Sequence, residues 1–125
     1  MTRDMDLIRD LLMRIEKAPT KPKSLELVDP KDEAEATRVL EHLKLLEEAG
    51  FIKGQPMSMH GYHLLFDIEL TWSGHDFVDA VRDPELWQKT KKSAEGVKGF
   101  TVDLLKDLAK GLIKKQIEAR TGVKL

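Results

Sequence analysis

The sequence predicts an α+β fold, mainly helical, and three observations carry that prediction. Apolar residues recur at helical spacing in long segments, such as Met5–Ile8–Leu12–Ile15 and Val39–Leu40–Leu43–Leu46. Between them and the C-terminal third, LLFDIEL at 64–70 alternates Phe66, Ile68 and Leu70 with Asp67 and Glu69, the period of a strand with one wet face. Prolines and glycines punctuate the segments at Pro19, Pro22, Pro30, Gly50, Pro56, Gly61 and Pro84.

The first helix is expected from about Thr2 to Lys17. Thr2 serves as N-cap, Asp4 and Asp6 sit at the positive end of the helix dipole, and Leu7 and Leu11 widen the apolar stripe. Ala18-Pro19-Thr20-Lys21-Pro22 ends it, because proline lacks the amide hydrogen and disfavours helix in the residue before it. Ser24 to Val28 alternates briefly and reads as a short edge strand. Asp29-Pro30 then opens a helix, cap followed by proline at the first helical position, which runs to Ala49 with Ala36 on its apolar face and stops at Gly50. Phe51 and Ile52 start a strand. Lys53 to Tyr62 reads as irregular, the long tip of a hairpin that returns through Leu64–Leu70. Thr71 or Ser73 caps the next helix, the latter with Asp76 as a capping box, and Phe77, Val78 and Val81 point inward. Asp83-Pro84 turns the chain again, with Leu86 and Trp87 as anchors. Gly96 and Gly99 mark a joint before a last helix from about Phe100 to Arg120.

At 125 residues, 41% hydrophobic and 34% charged, the chain has material for one core and a heavily charged surface. It contains no cysteine, which excludes disulfides, thiolate nucleophiles and cysteine-bound zinc. No window approaches the roughly 20 apolar residues of a membrane span, and Asp4, Asp6 and Asp10 interrupt any secretory leader. A soluble cytoplasmic protein is expected. The net charge of −1 conceals an asymmetry: residues 1–83 carry 11 basic against 17 acidic side chains, and residues 84–125 carry 10 against 5. The expected organisation follows that divide, a first domain over 1–83 and a helical C-terminal extension over 84–125 that packs on it or on a second subunit. A basic tail on an acidic body suits an electrostatic partner.

Two motifs resemble the winged helix-turn-helix superfamily. His42-Leu43-Lys44-Leu45-Leu46-Glu47-Glu48-Ala49-Gly50-Phe51-Ile52 is similar to the end of a winged-helix third helix as it turns into the wing, and Leu70-Thr71-Trp72-Ser73-Gly74-His75-Asp76-Phe77 to the segment after the wing in many bacterial regulators. With Arg3-Asp4-Met5-Asp6-Leu7-Ile8-Arg9 and the continuation of the second motif to Lys91, the chain resembles a bacterial and phage-associated family catalogued as domain of unknown function 2513. The resemblance implies a winged-helix-like frame with a helical extension, in which Pro30 to Ala49 stands for second and third helices together. It implies no established activity.

That frame directs attention to nucleic acid. Base edges are read by Arg, Lys, Asn or Gln, and phosphates by basic neighbours. The candidate contacts are Lys31, Thr37, Arg38 and Lys44, Lys53 in the wing beside Gln55, His60 and His63, and Lys91 and Lys92 in the tail. Against them, residues 31–50 hold six acids and three bases, an arrangement that repels a duplex with one charge per roughly 1.7 Å of axis. In the last helix Lys106, Lys110 and Lys114 form a stripe whose side Asp103 and Asp107 share, and Leu104, Leu105, Leu108, Leu112 and Ile113 form a broad apolar face with Phe100 and Ile117. Such a face needs its own domain, the same helix of a second subunit, or lipid; self-association into a homodimer is the expectation, and membrane binding is not.

No catalytic set stands out. The serines lack a nucleophile elbow, the glycines form no phosphate loop, and the pairs His60/His63 and His75/Asp79 fall short of a zinc site. His75, Asp79 and Arg82 are expected to bond among themselves, and Trp72 and Trp87 to pack in the core. No cofactor, metal or small-molecule ligand is therefore expected, and no enzyme. The leading expectation is a DNA-binding regulator of phage or mobile-element type; the alternative is a protein–protein interaction or assembly module that keeps the frame without binding DNA.

Overall fold

The computed structural model describes residues 2–93 and 102–124, with the side chains of 102–106, 108 and 109 outside that description. The fold is α+β and mainly helical: α1 (Met5–Lys17), a 3-10 turn (Ser24–Leu27), α2 (Glu33–Glu48), β1 (Ile52–Met59), β2 (Tyr62–Leu70), α3 (Trp72–Val81), α4 (Pro84–Ser93) and α5 (Val102–Thr121). By its contacts the chain divides into Met1–Asp76 and Phe77–Leu125, the division falling inside α3.

In the first unit α1, α2 and the 3-10 turn surround one face of a two-stranded antiparallel sheet. Ile8, Leu11, Leu12 and Ile15 of α1 are buried, as are Val39, Leu40, Leu43 and Leu46 of α2 and Ile52, Leu65, Ile68 and Leu70 of the sheet. Asp4, not Thr2, caps α1: its carboxylate accepts from the amides of Asp6 and Leu7 at 2.9 and 3.1 Å. A carboxylate serves better than a hydroxyl at the positive end of the helix. Helix α2 starts later than expected for a similar reason. Asp29 spends its carboxylate on the Lys31 amide in a turn, and Asp32 caps the helix through the Glu35 amide. Its C-terminus closes as expected around Gly50: the Phe51 amide reaches the Leu46 carbonyl and the Gly50 amide the Glu47 carbonyl, both at 3.0 Å.

The expected strand at 24–28 is instead the 3-10 turn, because its polar groups have better partners. Glu26 accepts from the Lys23 amide, and the buried Ser24 hydroxyl accepts from the Leu65 amide at 2.8 Å. With the Pro22 carbonyl taking the Ile68 amide at 2.8 Å, this segment satisfies the outer edge of β2 without pairing as a strand.

The hairpin corrects the expectation of an irregular tip. Strand β1 runs through Pro56 to Met59, which Pro56 permits because it lies on an edge strand. His60 and Gly61, at φ 51° and 81°, turn the chain in two residues, as a type I′ hairpin requires. A bulge at Asp67 (φ 52°) places two residues of β2, Asp67 and Ile68, against one of β1, Gly54, between the Lys53–Glu69 and Gln55–Phe66 pairs. The bulge shifts the phase of the alternation, so Leu65 joins Ile68 and Leu70 in the core and Phe66 is only half-buried.

Thr71 caps α3, donating its hydroxyl to the Gly50 carbonyl at 2.5 Å and accepting from the Gly74 amide at 3.1 Å. Ser73 is not the cap. In the second unit Phe77, Val78 and Val81 are buried, α4 contacts α5, and Leu86, Trp87 and Thr90 are the buried face of α4. The Thr90 hydroxyl is satisfied by the Leu86 carbonyl at 2.6 Å. The expected joint at Gly96 and Gly99, and Phe100, lie outside the described residues. No helix among the described residues is long and apolar enough to cross a membrane.

Candidate functional site

Three segments that are distant in sequence converge on an apolar groove of about 300 Å³. The 3-10 turn and its exit supply Leu25, Val28 and Pro30; the first two turns of α2 supply Ala36 and Leu40; the hairpin tip supplies Met59, Tyr62 and Leu64. Glu33, Thr37 and His60 stand at the rim. Buried Leu40 and Leu64 form the floor, whereas Leu25 is 51% exposed, Met59 42% and Tyr62 41%. Each placement has a local cause. The Glu26–Lys23 bond fixes the 3-10 turn and sends Leu25 outward, and the two-residue turn at His60-Gly61 sets Met59 and Tyr62 opposite each other as a register pair. Exposed apolar side chains gathered around a concave floor are a feature that a solvated protein surface does not need for its own stability.

Glu33 is exposed at the rim of this groove. The segment 26–33, which supplies Val28, Pro30 and Glu33 to the lining, carries exposed Glu26, Asp29, Asp32 and Glu33 against one cation, Lys31. Thr37 is occupied within its own helix, its hydroxyl bonded to the Glu33 carbonyl at 3.0 Å.

The expected nucleic-acid contacts have different surroundings. Arg38 turns back to the domain: its guanidinium pairs with the Asp4 carboxylate and holds Glu35 at 3.2 Å. Beside it His42 is fully buried, its Nδ1 within 2.8 Å of the Arg38 carbonyl and its Nε2 accepting from the Asp4 amide at 2.9 Å. Those partners fix the tautomer with the proton on Nδ1. The Arg38–His42 pair thus ties α2 to the start of α1. Lys44 is exposed in α2, and Lys31 precedes the helix. Lys53 shares Glu69 with Lys21: Glu69 lies 3.1 Å from the Lys21 ammonium and 3.2 Å from that of Lys53, and those two bonds hold its carboxyl below the ordinary value. In the second unit Lys91 stands 5.7 Å from the centre of the buried Trp87 ring, and Lys92 is exposed.

Of the expected self-association set, Leu112 and Ile113 are half-exposed, with Ile117 at 41%; Leu104, Leu105 and Leu108 lie outside the described side chains. Trp87 packs as expected. Trp72 does not: it is 84% exposed, because Thr71 and Gly74 hold the first turn of α3 against Gly50 and Phe51, between α2 and β1, and leave residue 72 outside. Arg82 bonds Asp79 at 2.7 Å, as expected of that face. His63 reaches Glu47 at 2.8 Å and links β2 to α2. Among the described residues no group of three His, Asp or Glu side chains is placed to hold a metal ion.

The sequence reads Lys53 to Tyr62 as an irregular tip and does not reveal the groove. Its signal is faint: Leu25, Met59 and Tyr62 are apolar residues beside turn formers, and only the fold brings them together.

Comparison with known proteins gives a family and no activity. The chain is 30% identical to an uncharacterized protein of Haemophilus influenzae over 118 residues, 94% of this chain and 99% of that protein. No solved structure matches it significantly. The family described as "Hypothetical protein (DUF2513)" matches residues 2–101, four-fifths of the length. By that match and by the full-length relative, the chain belongs to the DUF2513 family.

Proposed function

We infer that this chain is a non-enzymatic protein-binding module on a winged-helix-like frame. The order α1, 3-10 turn, α2, hairpin, α3 supports the frame, with α2 standing for its second and third helices together and β1–β2 as the wing. One observation carries the function: the apolar groove bounded by Leu25, Met59 and Tyr62, with Glu33 at its rim. Grooves of this kind accept an amphipathic segment of a partner, whose apolar anchors supply most of the affinity. The test is retention of a purified partner by wild type and by Leu25→Glu and Met59→Glu variants. Both substitutions change exposed side chains, so folding is retained, and loss of binding by at least about tenfold is expected for a charge placed in an apolar contact. Unchanged binding by both variants overturns the reading.

A second reading, a DNA-binding regulator of phage or mobile-element type, is favoured by the exposed Lys31, Lys44 and Lys92 and by the basic composition of residues 84–125. Engagement of Arg38 with Asp4 and Glu35 weighs against it, since the residue best suited to base edges is already bonded. Duplex DNA titrated at about 50 mM salt decides: non-specific contact is strongest there, and no binding removes this reading.

A further inference from the structure

The groove reading leaves the partner open, and the second unit of the chain offers one with matching chemistry. Helix α5 carries Ile113 and Ile117 one turn apart, with Lys110 and Lys114 one turn apart beside them. Ile113 is half-exposed, Ile117 is 41% exposed, and Lys110, Lys114, Lys115 and Arg120 are exposed. This is an apolar strip flanked by cations on a helix of 20 residues. The groove presents the converse: an apolar floor and walls with Glu33 at the rim, in a segment, 26–33, that carries four exposed acids against one cation. The charge asymmetry of the sequence, acidic before residue 84 and basic after it, is the same complementarity at the scale of the chain.

We propose that the groove of one chain takes α5 of a second copy. Ile113 and Ile117 enter between Leu25 and Met59, and Lys110 and Lys114 meet the acids of segment 26–33. Two such contacts related by a two-fold axis give a closed dimer in which each chain donates its helix and receives its partner's. The contact joins unlike surfaces, in contrast to the pairing of α5 with itself that the leucine pattern alone suggests. Its apolar part supplies affinity and its charged part orientation and association rate. This proposal rests on the reading of the groove as a docking surface.

The absence of cysteine makes a direct test available. Chains carrying Met59→Cys and Ile117→Cys, both at exposed positions, are mixed and oxidised, and the disulfide-linked dimers are separated. The mixed 59–117 dimer is expected to dominate. Its yield is expected to fall several-fold as salt rises to about 1 M, where charges are screened within about 3 Å, and to fall likewise in Lys110→Glu/Lys114→Glu chains. A predominance of 117–117 dimers means that α5 pairs with itself and overturns the proposal, as does a predominance of 59–59 dimers. A chain that sediments as a monomer at every concentration also overturns it. In that last case, loss of a purified foreign partner on Met59→Glu substitution leaves the groove reading intact, so the two failures are distinguishable.

Discussion

The backbone of Gly74 lies against the carbonyl of Phe51, so closely that a Cβ on Gly74 would overlap the carbonyl oxygen while standing 3.4 Å from Leu70 Cβ. The same carbonyl accepts from the Thr71 amide at 3.0 Å. The first turn of α3 therefore seals the exit of α2, and the Leu-Thr-x-x-Gly pattern has a physical cause in Leu70, Thr71 and Gly74. Helix propensity alone would make Gly74→Ala stabilising by about 1 kcal/mol. The close approach reverses the sign: destabilisation of about 1–3 kcal/mol is expected from overpacking against backbone, read as a lower urea midpoint.

His42 is a structural histidine, and its substitution is expected to act on stability alone. His42→Ala removes a fully buried ring together with its bonds to the Asp4 amide and the Arg38 carbonyl. A loss of about 2–4 kcal/mol is expected from the cavity and the lost partners. Addition of zinc is expected to leave the melting temperature of the wild type unchanged; a rise that disappears in His42→Ala would mean that the ring is a ligand.

Much of this frame is legible in the sequence because its signals are local. Gly50 as the end of α2 and Thr71 as the cap of α3 each depend on bonds within a few residues, apart from the Thr71 hydroxyl's reach to Gly50. The segment at Ser24 is illegible because a partner 41 residues away, the Leu65 amide on the Ser24 hydroxyl, holds it alongside the local Glu26–Lys23 bond. Pro56 and the polar neighbours of β1 hid a strand that needs no apolar alternation at an edge. Trp72 shows the limit of spacing arguments: periodicity says which residues share a face, not whether that face meets anything. The groove combines both difficulties, since its lining comes from three separate segments and its exposed members obey no period.

The hairpin tip allows a paired test of the turn. Gly61 at φ 81° occupies a conformation that disfavours a Cβ, so Gly61→Ala is expected to cost about 1 kcal/mol. His60 at φ 51° is also left-handed, and His60→Asn is expected to be neutral or slightly stabilising, since asparagine is favoured there. Equal effects of the two substitutions in thermal melts would contradict a type I′ turn.

The Lys21–Glu69–Lys53 bridge predicts a small dependence on acidity and salt. Bonds from Lys21 and then Lys53 lower the carboxyl pKa of Glu69 in the folded state from its ordinary value of 4.5. A lowered folded value means that the stabilisation is present at pH above 4.5 and is lost as pH falls through the folded pKa. Wild type is therefore expected to exceed Glu69→Gln in denaturation midpoint at neutral pH, with the difference closing in acid and in high salt. A difference that persists in acid would assign the bridge's role to packing.

The surface at Leu25, Met59 and Tyr62 is proposed to bind protein. The most direct measurement of that binding uses an environment-sensitive dye on Met59→Cys, the single thiol in an otherwise cysteine-free chain. The labelled chain is titrated with unlabelled full-length chain and, in parallel, with duplex DNA at about 50 mM salt, where non-specific DNA contact is strongest. A saturable blue shift with protein and no response to DNA is the predicted result. A response to DNA with none to protein would contradict it.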